Sequence, residues 1–173
     1  MMEERATTLD DILARKRQTG GEVVNVDEPT VKLVFFTLGE QWYAFHGDNI
    51  REVLADNEVY YLPGCPSSME GVINVRGDIE SVIRLRALLG LPEVKASASS
   101  RILLGKASTM SSGIRVDRVE EVLDVLQSAV QSPPHTLPEH LRPIVLGIVM
   151  YREHLVHLLD LERIFADYRA GLR

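Results

Sequence analysis

Gly71-Val72-Ile73-Asn74-Val75-Arg76-Gly77-Asp78-Ile79-Glu80-Ser81-Val82-Ile83-Arg84-Leu85 aligns with Gly147-Ile148-Val149-Met150-Tyr151-Arg152-Glu153-His154-Leu155-Val156-His157-Leu158-Leu159-Asp160-Leu161 at an offset of 76 residues. Both stretches read as a strand, a tight turn and a returning strand. A second match lies upstream of each. Leu33-Val34-Phe35, followed by Asp48-Asn49-Ile50-Arg51-Glu52-Val53-Leu54, corresponds to Ile102-Leu103-Leu104, followed by Asp117-Arg118-Val119-Glu120-Glu121-Val122-Leu123, at an offset of 69. The chain is therefore duplicated. The seven extra residues of the second copy are expected in the Pro-rich stretch Ser132–Pro143. A duplicated unit of this size predicts two similar subdomains with a groove between them, and such grooves are where partners and ligands bind.

Each unit is about 60–75 residues, near the lower limit for a self-sufficient core, so the two are expected to share buried surface. Residues 1–30 are expected to form an N-terminal extension that is helical or mobile, 31–95 a first barrel and 96–173 a second barrel with the C-terminal helix. Val31–Leu38 is apolar and rich in β-branched and aromatic residues, Gly39-Glu40-Gln41 turns it, and Trp42–Phe45 returns. Asp48 and Asp117 are each read as capping a helical turn, reaching Leu54 and Val122. Val59–Leu62 reads as a short strand, Arg86–Leu89 as a helical turn stopped by Gly90, and Glu93–Ser100 as a linker. Asp160 is expected to cap a final helix over Leu161–Tyr168. Thr8-Leu9-Asp10-Asp11 starts a further short helix that Gly20-Gly21 stop. Strands of four to eight residues joined by hairpins indicate small β-barrels, about five strands to each unit.

Composition excludes several functions. The net charge of −6 argues against a nucleic-acid binder, which needs a basic face. With one cysteine, Cys65, no intrachain disulfide and no cysteine-based metal site can form. No apolar run approaches the ~18 residues of a membrane span. Met-Met-Glu-Glu-Arg opens the chain without a secretory h-region, so the cytoplasm is the expected compartment.

Candidate chemistry is sparse. The pairs Asp48/Glu52 and Asp117/Glu121 suit helix starts better than acid–base catalysis. His154 and His157, three apart on a strand, point to opposite faces and cannot share a metal. Cys65 sits in the rigid Pro63-Gly64-Cys65-Pro66 and lacks a nearby base. No phosphate loop or nucleophile elbow follows any strand. No enzyme activity, metal or cofactor is expected. The informative turn is Asn74-Val75-Arg76-Gly77, where Gly77 permits positive φ and Arg76 projects a long cation. The second copy keeps Arg152 but loses the Asn and the Gly, which suits a site used once.

Gly71-Val72-Ile73-Asn74-Val75-Arg76-Gly77 resembles the Gly-x-x-Asn-x-Arg-Gly signature of the CheW family, adaptors of bacterial chemosensory arrays. Leu33–Ala44 resembles that family's opening hairpin. Ile50-Arg51-Glu52-Val53, the Leu62-Pro63 to Pro66 loop, Ile114-Arg115-Val116-Asp117-Arg118-Val119 and Leu158-Leu159-Asp160-Leu161 resemble further blocks in the same order, across residues 31–166. The resemblance implies two SH3-like five-stranded β-barrels packed side by side. It implies a non-enzymatic scaffold that couples the cytoplasmic tips of methyl-accepting chemoreceptors to the regulatory domain of a CheA-type histidine kinase. Receptor-contact positions carry over to Ile50, Glu52, Val53 and Arg76, and the structural turn to Gly71, Asn74 and Gly77; kinase-contact residues are not assigned. The chain departs from the pattern at Ser81 and Arg84, where the family reads Pro-x-x-Asp, and at Met110-Ser111-Ser112-Gly113. An adaptor for a motility or other chemosensory-like pathway fits as well as a chemotactic one. The alternative is a stand-alone regulator that takes another partner or a small ligand in the groove.

Overall fold

The computed structural model describes residues 28–55 and 58–171. The helix expected near the N-terminus lies outside the described residues. Strand β1 (Thr30–Leu38) turns at Gly39, whose φ is 63°, into β2 (Gln41–His46). A 3₁₀ turn, Gly47–Asn49, leads to β3 (Ile50–Leu54). Strands β4 (Met69–Val75) and β5 (Asp78–Ile83) form a hairpin followed by helix α1 (Leu85–Leu89). The second copy supplies β6 (Arg101–Lys106), β7 (Ser111–Val116), β8 (Arg118–Leu126), β9 (Val145–Tyr151), β10 (His154–Leu159) and helix α2 (Leu161–Gly171).

Two five-stranded sheets result. One has the order β9-β10-β2-β1-β8, the other β3-β6-β7-β5-β4. Each contains one parallel junction, β10 against β2 and β5 against β7, among antiparallel neighbours. The repeat is visible in the topology, but with an exchange. The leading hairpin of each copy lies in the sheet built by the last three strands of the other. The division into 31–95 and 96–173 is thereby corrected: each barrel takes strands from both halves, and Val31–Arg173 form one compact unit. The chain crosses from one sheet to the other at two short connections: three residues join β2 to β3, and Asp117 alone joins β7 to β8.

Neither sheet closes by a full ladder. One antiparallel bridge, Tyr60 to Val72, joins the segment after β3 to β4, and Gln131 to Ile148 joins the segment after β8 to β9. Val59–Leu62 is thus a single bridge, not the expected strand. Both bridges sit beside a bulge, between Met69 and Gly71 and between Val145 and Gly147. A Cβ on Gly71 would lie 2.2 Å from the Tyr60 carbonyl oxygen, and one on Gly147 would lie 2.7 Å from that of Gln131. Only glycine lets the two backbones approach so closely.

The helical turns expected after Asp48 and Asp117 are replaced by strands. Ile50, Glu52 and Leu54 are partly buried along β3 while Arg51 and Val53 between them are exposed, a period of two that a helix would not keep. The close of α1 and the start of α2 match the sequence reading, while α2 runs on past Tyr168 to Gly171. Gly90 closes α1 in the left-handed region at φ 74°, and the Asp160 carboxylate accepts the Arg163 amide at the start of α2. Residues on β1 alternate between two cores. Leu33 and Phe35 fill the first barrel with Val149, Val156 and Leu158. Val34, Phe36 and Leu38 face a central core shared with Leu103, Ile114 and Val116 of the other sheet. Leu161, Ile164, Phe165 and Tyr168, at helical spacing on α2, cover that shared core. A third core, Ile73, Val75, Val82, Ile102 and Leu104, fills the second barrel.

Candidate functional site

The signature turn joins β4 to β5. Arg76 and Gly77 have φ of 51° and 95°, the positive pair that matches a hairpin's twist. The Asn74 side-chain oxygen accepts the Gly77 amide at 2.9 Å, so the asparagine closes the turn. Arg76 reaches across to β3, where its two terminal nitrogens fork the two oxygens of Glu52 at 3.0 and 2.5 Å. The guanidinium bond holds the Glu52 carboxyl below its ordinary range, and Glu52 raises Arg76 in turn. A second pair, Arg51 with Glu80 at 3.3 Å, spans the same two elements.

Glu52 and Arg76 therefore meet, carboxylate bound to guanidinium, while Val53, the next residue on β3, points to the opposite face of the strand. Ile50 does not join them: the bulge between Ile50 and Glu52 turns it toward the central core, where it is half-buried. Gly71 serves the barrel bridge. Val53 on β3 and Ile79 on β5 are exposed apolar residues of these elements, Ile79 at 65%.

The second copy repeats the arrangement. Arg152 bonds Glu121 at 3.3 Å from a turn in which Arg152 and Glu153 hold φ of 47° and 68° without any glycine. Tyr151 donates its hydroxyl to the same carboxylate and stacks on Phe35 at 4.6 Å. Val122, Met150 and Leu155, on the same strands, are exposed. The ion pair is therefore repeated in the second copy, although its turn lacks the Asn and the Gly of the first. Arginine and glutamate at the two repeat offsets, 76 and 69, carried that signal.

Asp117, expected as a helix cap, joins the two sheets instead. Its carboxylate accepts the Gly39 amide at 2.6 Å and Arg86 at 2.5 Å, while its own amide donates to the Thr37 carbonyl. One repeat on, the Ser108 amide is held by Glu162 of α2 at 3.0 and 3.1 Å. His154 stacks on Trp42 at 4.2 Å, whereas His157 lies half-buried against Tyr43, and burial lowers its pKa. Among the described residues, no three His, Cys, Asp or Glu are grouped to hold a metal, and no helix is long and apolar enough to cross a membrane.

Known proteins share this organisation. A family model described as the CheW-like domain matches residues 32–169. The chain is 27% identical to the chemotaxis protein CheW of Helicobacter pylori over 157 residues, covering 90% of this chain and 94% of that one. It is 26% identical to a probable chemotaxis protein CheW of Rhizobium etli, covering 84% and 94%. FrzA of Myxococcus xanthus matches at 24% identity, covering 82% and 89%. The crystal structure of the scaffolding protein TtCheW from Thermoanaerobacter tengcongensis superposes with a TM-score of 0.71 at 28% identity, covering 79% of this chain and 93% of that one. Matched along most of its length and in its pair of SH3-like sheets, the chain belongs to the CheW-like domain family and is a non-enzymatic scaffold of chemosensory signalling.

Proposed function

We propose that this scaffold bridges the cytoplasmic tip of a chemoreceptor and the regulatory domain of a CheA-type histidine kinase, in the cytoplasm. The observation that carries the reading is the doubled surface. Glu52–Arg76 and Glu121–Arg152 are repeated surface ion pairs, one from each copy, and the elements that carry them also expose apolar residues, Val53 and Ile79 in the first and Val122, Met150 and Leu155 in the second. A body with two such surfaces can hold two partners at once. Exposed apolar residues on the same elements as a satisfied ion pair suit a helical or barrel surface that brings apolar contact and a few hydrogen bonds. The receptor tip is assigned to the β3 side, with Val53 giving apolar contact, Glu52 and Arg76 orientation, and Ile50 backing the strand. The kinase domain takes a separate surface, and the Val122–Met150–Leu155 end offers one.

The test measures both affinities on folded variants. Val53→Asp is expected to weaken receptor binding about tenfold, the worth of one buried valine side chain, with kinase binding retained. Met150→Asp is expected to do the reverse. Loss of both activities together in a folded variant would refute two separate surfaces. A receptor affinity unchanged by Val53→Asp would remove the β3 assignment.

A further inference from the structure

Arg84 has no capping role in the fold, although it stands at a capping position. Its counterpart in the second copy is Asp160, which caps α2 through the Arg163 amide. Arg84 is the N-cap of α1 and makes no side-chain capping bond. The same replacement breaks the Pro-x-x-Asp pattern of the family resemblance. The side chain instead lies on the wall of a cavity of about 410 Å³ that Arg86, Arg115 and Lys95 also line.

Three ion pairs stand on that wall: Arg84 with Glu93 at 3.1 Å, Arg86 with Asp117 at 2.5 Å, and Arg115 with Glu70 at 2.8 Å. Lys95 is a fourth cation and makes no ion pair among the described residues. The wall thus carries one positive charge in excess, on a chain whose net charge is −6. Guanidinium donors are also in excess. Arg84 uses only one terminal nitrogen and Arg115 only Nε, so the remaining donors of both have no protein acceptor among the described residues. Leu85 and Val94 add apolar surface.

We propose that this cavity binds a small soluble oxyanion of the phosphate-ester or pyrophosphate class, held by Arg84, Arg115 and Lys95. Two planar forks and a point-charge ammonium match the several oxygens of such a group better than the two of a carboxylate. The volume lies within the ordinary range of small-ligand sites. The site is distinct from the surfaces assigned to the protein partners, so its test is independent of theirs.

The experiment is calorimetric titration of the whole chain with inorganic pyrophosphate, against sodium chloride at matched ionic strength. Saturable binding beyond the chloride response is expected. Arg84→Asp should weaken it by about tenfold or more through loss of a charge-assisted contact and gain of a negative charge. That variant should fold, because aspartate already stands at the same place in the other copy. Lys95→Ala, on an exposed linker, tests the site without touching the fold and should weaken binding several-fold. Arg163→Ala, on α2, should leave binding unchanged. No saturable binding, or equal binding by wild type, Arg84→Asp and Lys95→Ala, overturns the proposal.

Discussion

Gly71 and Gly147 do the same work at equivalent points of the two barrels, and their cost of substitution follows from distance. A methyl group on Gly71 would overlap the Tyr60 carbonyl, so Gly71→Ala must break the bridge or shift the strand. It is expected to cost about 1–3 kcal/mol, as overpacking does, measured by urea unfolding. Gly77 meets nothing within 4 Å, and Gly77→Ala is penalised only through its φ of 95°. The second turn offers the converse test. Glu153 holds φ of 68° with a side chain, where the first turn has glycine. Glu153→Gly should therefore stabilise the protein by about 1 kcal/mol. A neutral or destabilising result in the same unfolding assay would show that the Glu153 side chain supports the turn.

Among the elements, helix α2 and strand β10 each carry a group whose titration is coupled to stability. Glu162 on α2 accepts the amide and hydroxyl of Ser108, which hold its carboxyl below the ordinary 4.5. A carboxylate depressed in the folded state contributes stability that is complete above the unfolded value and lost as pH falls through the folded one. Glu162→Gln should flatten stability against pH in the acid window below 4.5. His157 on β10 has the opposite charge type. Burial lowers its pKa from 6.5, so the unfolded chain takes up the proton first. Stability should be full above 6.5 and decline below it until the folded pKa is passed. His157→Gln should remove that slope, read by chemical denaturation across the same range. The helix ends were legible in sequence because a cap acts within one turn: Asp160 and Gly90 need no distant partner. The strands after Asp48 and Asp117 were not, because a carboxylate followed by mixed apolar and charged residues fits a first helical turn as well as an edge strand. Tertiary pairing, Ile50 with Gly105 and Leu54 with Ile102, decided for the strand.

At the scale of the whole molecule, the exchanged hairpins make the two copies interdependent. Residues 31–95 alone would carry β1 and β2 without the β8–β10 sheet they join, and β3–β5 without β6 and β7. Either half expressed alone is expected to show no cooperative unfolding as a monomer, whereas the two halves together should form a folded one-to-one complex. Circular dichroism and sizing would check this, and a stable monomeric half would contradict the exchange. The amino-acid sequence by itself determined the duplication, the hairpins, the glycine and asparagine of the signature turn, the helix caps and the family, because these reside in local spacing and backbone preference. It also offered Glu52 and Arg76 as candidates for one site through the family resemblance. Only the tertiary structure decided that Glu52 and Arg76, 24 residues apart, bind each other, that Ile50 turns inward, and that Asp117 holds Gly39 from 78 residues away. Side-chain alternation tells which face of a strand is buried and never which strand lies beside it; that choice is made by packing two sheets over one shared core.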